Sequence, residues 1–273
     1  MSSGAVRMTT TVEKQSGPGT RTWRTGVLIA TALLAAVAVF SRPPIPQDPA
    51  YHHFADTRTV LGVPNGLNVL SNLAFALVGL AGLWVLVRRK VDLRDRSERW
   101  PWEVFFVGVA LTSLGSAWYH LDPSNDTLVW DRLPMAIAFM GLFAAVIAER
   151  IDVRAGLQLL WPLVFAGVAG VLYWYFTQKS GNGGDLRPYA LVQFYPVLAI
   201  PLVLLLFPRT YTLAIGYVGA WAGYALAKIA ELADVPIFRL GGVMSGHTLK
   251  HLIAAAGIGT LVWMLVRRRR VEV

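Results

Sequence analysis

Two short patterns and one adjoining position hold the residues of this chain best suited to chemistry. Ser116-x-x-x-His120 and His247-x-x-x-His251 each set two polar groups one helical turn apart, and Asp131 follows His120 by eleven residues. Residues four apart share a helix face, so His247 and His251 can point at one ion, and Ser116 would lie one turn deeper than His120. Ionisable groups are costly at membrane depth and mark function by default. Three imidazoles, a carboxylate and a hydroxyl suggest a hydrolytic zinc centre, because catalytic zinc takes three protein ligands and leaves a fourth position open. Each element alone has a plainer reading: a single histidine as a satisfied core group, Ser116 as a small packing residue, and Asp131-Arg132 as a structural ion pair.

The elements that must carry these residues are membrane helices. The 273 residues are 55% hydrophobic and 15% charged, with ten Trp and no Cys. That composition excludes a soluble domain on a single anchor, and the lack of Cys excludes a thiolate metal site, a thiol nucleophile and disulfides. The hydrophobic segments predict crossings at roughly 25–41, 66–87, 101–120, 129–148, 157–177, 189–207, 211–232 and 245–266. Residues 1–24 read as a disordered tail, 25–41 as an uncleaved first anchor followed by the Pro-rich connector Ser41–Pro46, and 267–273 as a basic tail.

The net charge of +9 reports topology rather than nucleic acid. With eight crossings, seventeen of the 25 Lys and Arg fall on the side of the termini, five on the other side and three within spans. By the positive-inside rule both termini are expected in the cytoplasm, in the plasma (inner) membrane of a bacterial-type protein. Crossing three then ends outside near His120, crossing four begins outside near Asp131, and crossing eight begins outside near His247. The three histidines and Asp131 are therefore expected at one level on the outer face.

Together, Asn68-x-x-Ser71-Asn72, Gly115-Ser116-x-x-x-His120, Asp131-x-x-Pro134-Met135 and His247-x-x-x-His251 resemble the alkaline ceramidases and the wider CREST superfamily of seven-helix membrane hydrolases. The resemblance covers roughly residues 50–266 and implies an all-α polytopic bundle, a seven-helix core with one extra helix in front. It also implies an intramembrane zinc site formed by His120, His247 and His251, with Asp131 as general base and Ser116 as hydrogen-bond donor to the developing oxyanion. In eukaryotic members an acidic calcium cluster includes a Glu where this chain has Asn65. Asp56 and Asn65 could supply two oxygens, but the cluster is not intact, which leaves calcium in doubt.

The expected activity is hydrolysis of the amide of ceramide-like N-acyl lipids drawn from the bilayer, and no feature specifies an oligomeric state. A receptor or sensor on the same scaffold is the alternative. A proton-coupled transporter would use Lys228 and Glu231, which at i and i+3 read more simply as a structural pair. Trp118, Tyr119, Trp130, Tyr173, Trp174 and Tyr175 are expected at the outer interface. His52 and His53 are read as ordinary loop residues, the loop 180–185 as a flexible lid, and Pro162, Pro196 and Pro201 as kinks that could open a lateral gate.

Overall fold

The computed structural model describes residues 18–89, 91–181 and 183–271. Residues 1–17, most of the expected tail, lie outside them, and from Pro18 the chain is already helical. The helices are α1 (Pro18–Phe40), α2 (Gly66–Leu70), α3 (Leu73–Arg88), α4 (Arg99–Leu121), α5 (Asn125–Arg150), α6 (Val153–Lys179), α7 (Arg187–Leu206), α8 (Ile215–Leu232), α9 (Asp234–Gly241) and α10 (Gly246–Arg267), with short 3-10 turns at Pro49–His52 and Arg96–Glu98. Among the described residues pairing outside helices is confined to two isolated bridges. The chain is an all-α, multi-pass membrane protein. Its core is a bundle of α2–α3, α4, α5, α6, α7, α8 and α10, and α1 packs against α7 from outside.

By length and apolar composition seven segments can cross a bilayer, one fewer than the eight expected from sequence. The segment that fails is α8, which carries Lys228 and Glu231 together with three Gly, two Tyr and one Trp. Packing explains how it keeps this composition. It runs antiparallel to α10 along its length, with Gly216 against Met264, Gly223 against Gly257 and the Ala230 carbonyl against Gly246. Gly223 and Gly257 let the two backbones touch, as small residues do between membrane helices.

The span that holds Asn68 and Ser71 is also not one smooth helix. It breaks at Ser71–Asn72 between α2 and α3, and the Ser71 hydroxyl there donates to the Asn68 carbonyl at 3.1 Å. The linker 233–244, between two of the crossings expected from sequence, contains α9, a helix of eight residues. At the far end the basic residues after α10 are held rather than free. Arg268 is buried on Glu149, Val271 N–H donates to the Thr210 carbonyl, and Tyr211 bridges Arg270.

Candidate metal centre

One end of α4, α5 and α10 builds the site. Helices α4 and α5 are joined by a tight turn in which Ser124 and Thr127 form a capping box, so they pack as an antiparallel pair. Their closest approach is at Gly115, where a Cβ would stand 2.0 Å from the Trp130 carbonyl oxygen. Pro134 accounts for that contact from the other side. It has no N–H for the carbonyl four residues back, so Trp130 is left free of its helical bond. The Gly115-Ser116 and Asp131-x-x-Pro134 motifs are thus two halves of one seam, which sets Ser116 and Asp131 against each other. Ser116 and Asp131 both line one cavity.

Helix α10 supplies the other two histidines. Ser245 caps it by accepting from Thr248 N–H, and Asp234 at the start of α9 accepts the His247 N–H at 2.7 Å while its other oxygen accepts Ala55 N–H at 2.8 Å. One carboxylate, not anticipated from sequence, therefore ties α9, α10 and the 49–65 loop together.

His120, His247 and His251 converge. A ligating atom from each lies within 4.8 Å of the others, and all three side chains are buried. His120 Nε2 and His247 Nε2 are 3.2 Å apart. Two nitrogens on one tetrahedral zinc, each bonded at about 2.0–2.1 Å, stand roughly 3.3 Å apart, so this pair already has the spacing of ligands. His251 Nδ1 lies 2.7 Å from Ser71 Oγ. Because that hydroxyl donates to Asn68, the imidazole is the donor to Ser71, which leaves Nε2 as the electron pair for an ion. Asn68 is itself locked: its Oδ1 accepts from Thr248 at 2.7 Å and its Nδ2 donates to the Asp56 carbonyl at 3.1 Å. The Asn68-x-x-Ser71-Asn72 motif is thus the second layer of the histidine cluster. Phe54 covers the cluster from the loop, with ring centroids 4.7 Å from His120 and 4.5 Å from His247. A buried set of three neutral nitrogen donors fits a borderline-soft divalent ion better than calcium, which takes oxygen.

A cavity of about 280 Å³ begins at His251, Ser116 and Asp131 and ends among apolar residues such as Phe105, Leu142 and Leu261. From His251 to Leu261 along α10 is about 15 Å at 1.5 Å per residue. Its polar end also carries Arg132 and a charged cluster. Glu231 binds Lys228 and, at 3.0 Å, Lys250 on α10, and accepts from the Tyr51 hydroxyl at 3.4 Å. The pair expected within α8 is therefore a triad that joins two helices.

Compared with profiles of protein families, with curated proteins and with solved structures, the chain finds no match. What carries a functional reading is thus the arrangement of its own residues: a membrane protein with seven candidate spans and a buried three-histidine cluster that could hold a metal ion.

Several sequence expectations are corrected here. Tyr119 and Trp174 are not interfacial belt residues but are buried inside the bundle, whereas Trp118, Trp130 and Tyr173 are exposed. The Asp131-Arg132 ion pair does not form among the described residues, since adjacent side chains diverge on a helix. His52 is a fixed structural group, its two ring nitrogens 3.0 Å from the Tyr119 hydroxyl and 3.0 Å from Asn125 Oδ1. Burial holds its imidazole below the usual histidine value. Asp56 places both oxygens on Arg58 at 2.8 Å, which holds its carboxyl below the ordinary carboxylate range. Asn65 donates to the His120 carbonyl at 2.9 Å. Asp185, at the end of the expected lid, is buried, binds Arg187 and accepts from Ile45 N–H.

Proposed function

We propose that the protein is a zinc-dependent intramembrane hydrolase that cleaves the amide of ceramide-like N-acyl lipids. The observation that carries this reading is the junction of two features: a cluster of three buried imidazoles, and a cavity that meets the cluster at His251 and is lined further on by apolar side chains of the bundle. His120, His247 and His251 would hold the ion, and a divalent ion there supplies Lewis-acid activation of water and carbonyl. Asp131 lies at the cavity wall, where its carboxylate takes a proton from the attacking water and passes it to the departing amine. Ser116 lines the same cavity, where its hydroxyl can donate to the developing oxyanion. The acyl chain occupies the apolar channel, which excludes water from everything but the amide.

Entry of a lipid is best supported between α7 and α8. Helix α7 packs on α1, α5 and α6, and α8 packs on α10, so the α7–α8 side of the cavity is closed by side chains. Trp221 Nε1 donates to the Val197 carbonyl at 3.0 Å, and Gln193 Nε2 donates to the Tyr224 hydroxyl at 3.1 Å. Pro201 deprives that same Val197 carbonyl of its helical donor, so the tryptophan replaces a bond that the helix cannot make. The charge bias of the loops supports a site at the outer face.

The test is metal content and fatty-acid release on the same detergent-purified samples. The expected result is one zinc per chain with turnover of an N-acyl lipid, both lost in His247→Ala, and in Asp131→Asn zinc retained with turnover reduced by about 10² or more. Absence of zinc from the wild type, or full activity in Asp131→Asn, would overturn the assignment. Zinc without turnover across an N-acyl lipid panel would select a sensor on the same scaffold.

A further inference from the structure

Arg132 is 6% exposed, lines the cavity beside Asp131, and among the described residues has no carboxylate at ion-pair distance. Its guanidinium is held in a cage of rings, 4.3 Å from the Trp174 centroid, 5.0 Å from Tyr189 and 5.6 Å from Tyr51. One arm, Nη2, donates to Gln47 Oε1 at 2.6 Å, and the other, Nη1, is buried and finds no acceptor among the described residues. A buried cation is stable only when something neutralises it, and a neutral amide at one arm does not. The other charges at this end of the cavity do not make up the difference. Lys228 and Lys250 share the single carboxylate of Glu231, and Asp131 is the other carboxylate that lines the cavity. Three cations thus face two carboxylates.

We infer that the polar end of the cavity binds an anionic head group, a carboxylate or a phosphate, on the amine side of the N-acyl lipid, and that Arg132 is its direct contact. A planar guanidinium with one arm anchored and stacked on aromatic rings is already oriented, and its other arm presents a donor suited to an oxyanion. The hydroxyl head of a neutral ceramide would leave the charge unmatched. The placement rests on the N-acyl-lipid reading above: the acyl chain fills the apolar part of the cavity, the amide lies at Asp131 and His251, and the group beyond the amide nitrogen reaches Arg132, which lines the same cavity. Arg132 then determines specificity and is distinct from the groups assigned to bond cleavage.

The experiment reads binding without turnover. Full-length, zinc-loaded protein is titrated with three dodecyl ethers in which the ether oxygen replaces the amide and the head is carboxymethyl, 2-phosphoethyl or the neutral 2-hydroxyethyl. At least one of the two anionic lipids is expected to bind about tenfold or more tightly than the neutral one. The better of the two identifies the head-group class. In Arg132→Gln that ratio falls to near one, and Arg132→Lys, which keeps charge without the fork, recovers part of it. Equal affinity of all three lipids for the wild type would overturn the inference, as would an unchanged ratio in Arg132→Gln. If Arg132→Gln does not fold, the wild-type series and Arg132→Lys still decide. Failure of the hydrolase reading is separate, because a head-group preference in protein that hydrolyses nothing leaves the binding site standing. Turnover without any preference removes only the role of Arg132.

Discussion

Two arginines, one near each end of the bundle, are buried in almost the same way, each with guanidinium nitrogens that find no acceptor among the described residues, and they differ in counter-charge. Arg268 lies 4.0 Å from the Tyr211 ring centroid and 5.8 Å from that of Trp102, as Arg132 is caged by Trp174, Tyr189 and Tyr51. Arg268 also binds Glu149, whose oxygens accept from Trp102 Nε1 at 2.9 Å and from the Tyr217 hydroxyl at 2.5 Å. Around that pair Glu98 accepts from Tyr211 and pairs with Arg94 at 3.3 Å. Protein groups neutralise the charge there, and the network clamps α4, α5, α8 and α10 together. Near the histidines the protein provides the same aromatic cage and leaves out the carboxylate. The difference separates a region built to hold the fold from one built to receive something.

The sharpest way to break this comparison is to remove the carboxylate from the clamp. Glu149→Gln leaves Arg268 buried without its counter-charge and is expected to cost about 3–5 kcal/mol of stability. Arg132→Met orphans no carboxylate and is expected to cost about 1 kcal/mol or less. Thermal unfolding of both variants in one detergent checks this, and equal losses would mean that the two arginines do the same job. A smaller effect is expected at the second layer of the histidines. Ser71→Ala removes the acceptor for His251 Nδ1, so zinc affinity should fall by about 10–100-fold in a chelator competition, with little change in melting temperature. A melting loss without an affinity loss would assign Ser71 to the fold. The smallest effect concerns Asp56 with Arg58. The Asp56 carboxyl is depressed in the folded protein, so its contribution is complete above its ordinary value of 3.8 and is lost as pH falls through the lower folded value. Since Arg58 is half exposed, the gap in stability between wild type and Asp56→Asn should be about 1 kcal/mol or less at pH 7 and should close on acidification below pH 3.8. A gap that stays constant with pH would exclude the ion pair as its source.

What the sequence made legible was whatever depends on period and position. Long apolar runs marked the crossings, and two i, i+4 pairs at segment ends placed three histidines at one level, where they do converge. Groups that act through contacts between distant segments left no local signal. Asp234 caps α10 from thirteen residues away, Phe54 covers the histidines from a loop, and Lys250 reaches Glu231 across two helices. The plainer alternative of an Asp131-Arg132 pair fails for the opposite reason: the two are adjacent in sequence, and adjacent side chains on a helix do not face each other. Crossing seven was legible as a segment but not as an exception. Only its packing on α10 accounts for a span with two charges and several polar aromatics.

The seam between α7 and α8, joined by the Trp221 and Gln193 hydrogen bonds and backed by Pro201, has a bearing on kinetics. A ligand that passes there arrives from the leaflet and never from water. The variable that fills the cavity is then its mole fraction among the surrounding lipids. Diluting a substrate with inert lipid at constant bulk concentration would slow such a protein, and adding more vesicles of the same composition would leave the rate per protein unchanged. Saturation would be a property of the membrane's composition, so an apparent Michaelis constant stated in molar units would change with every preparation while one stated per lipid would not.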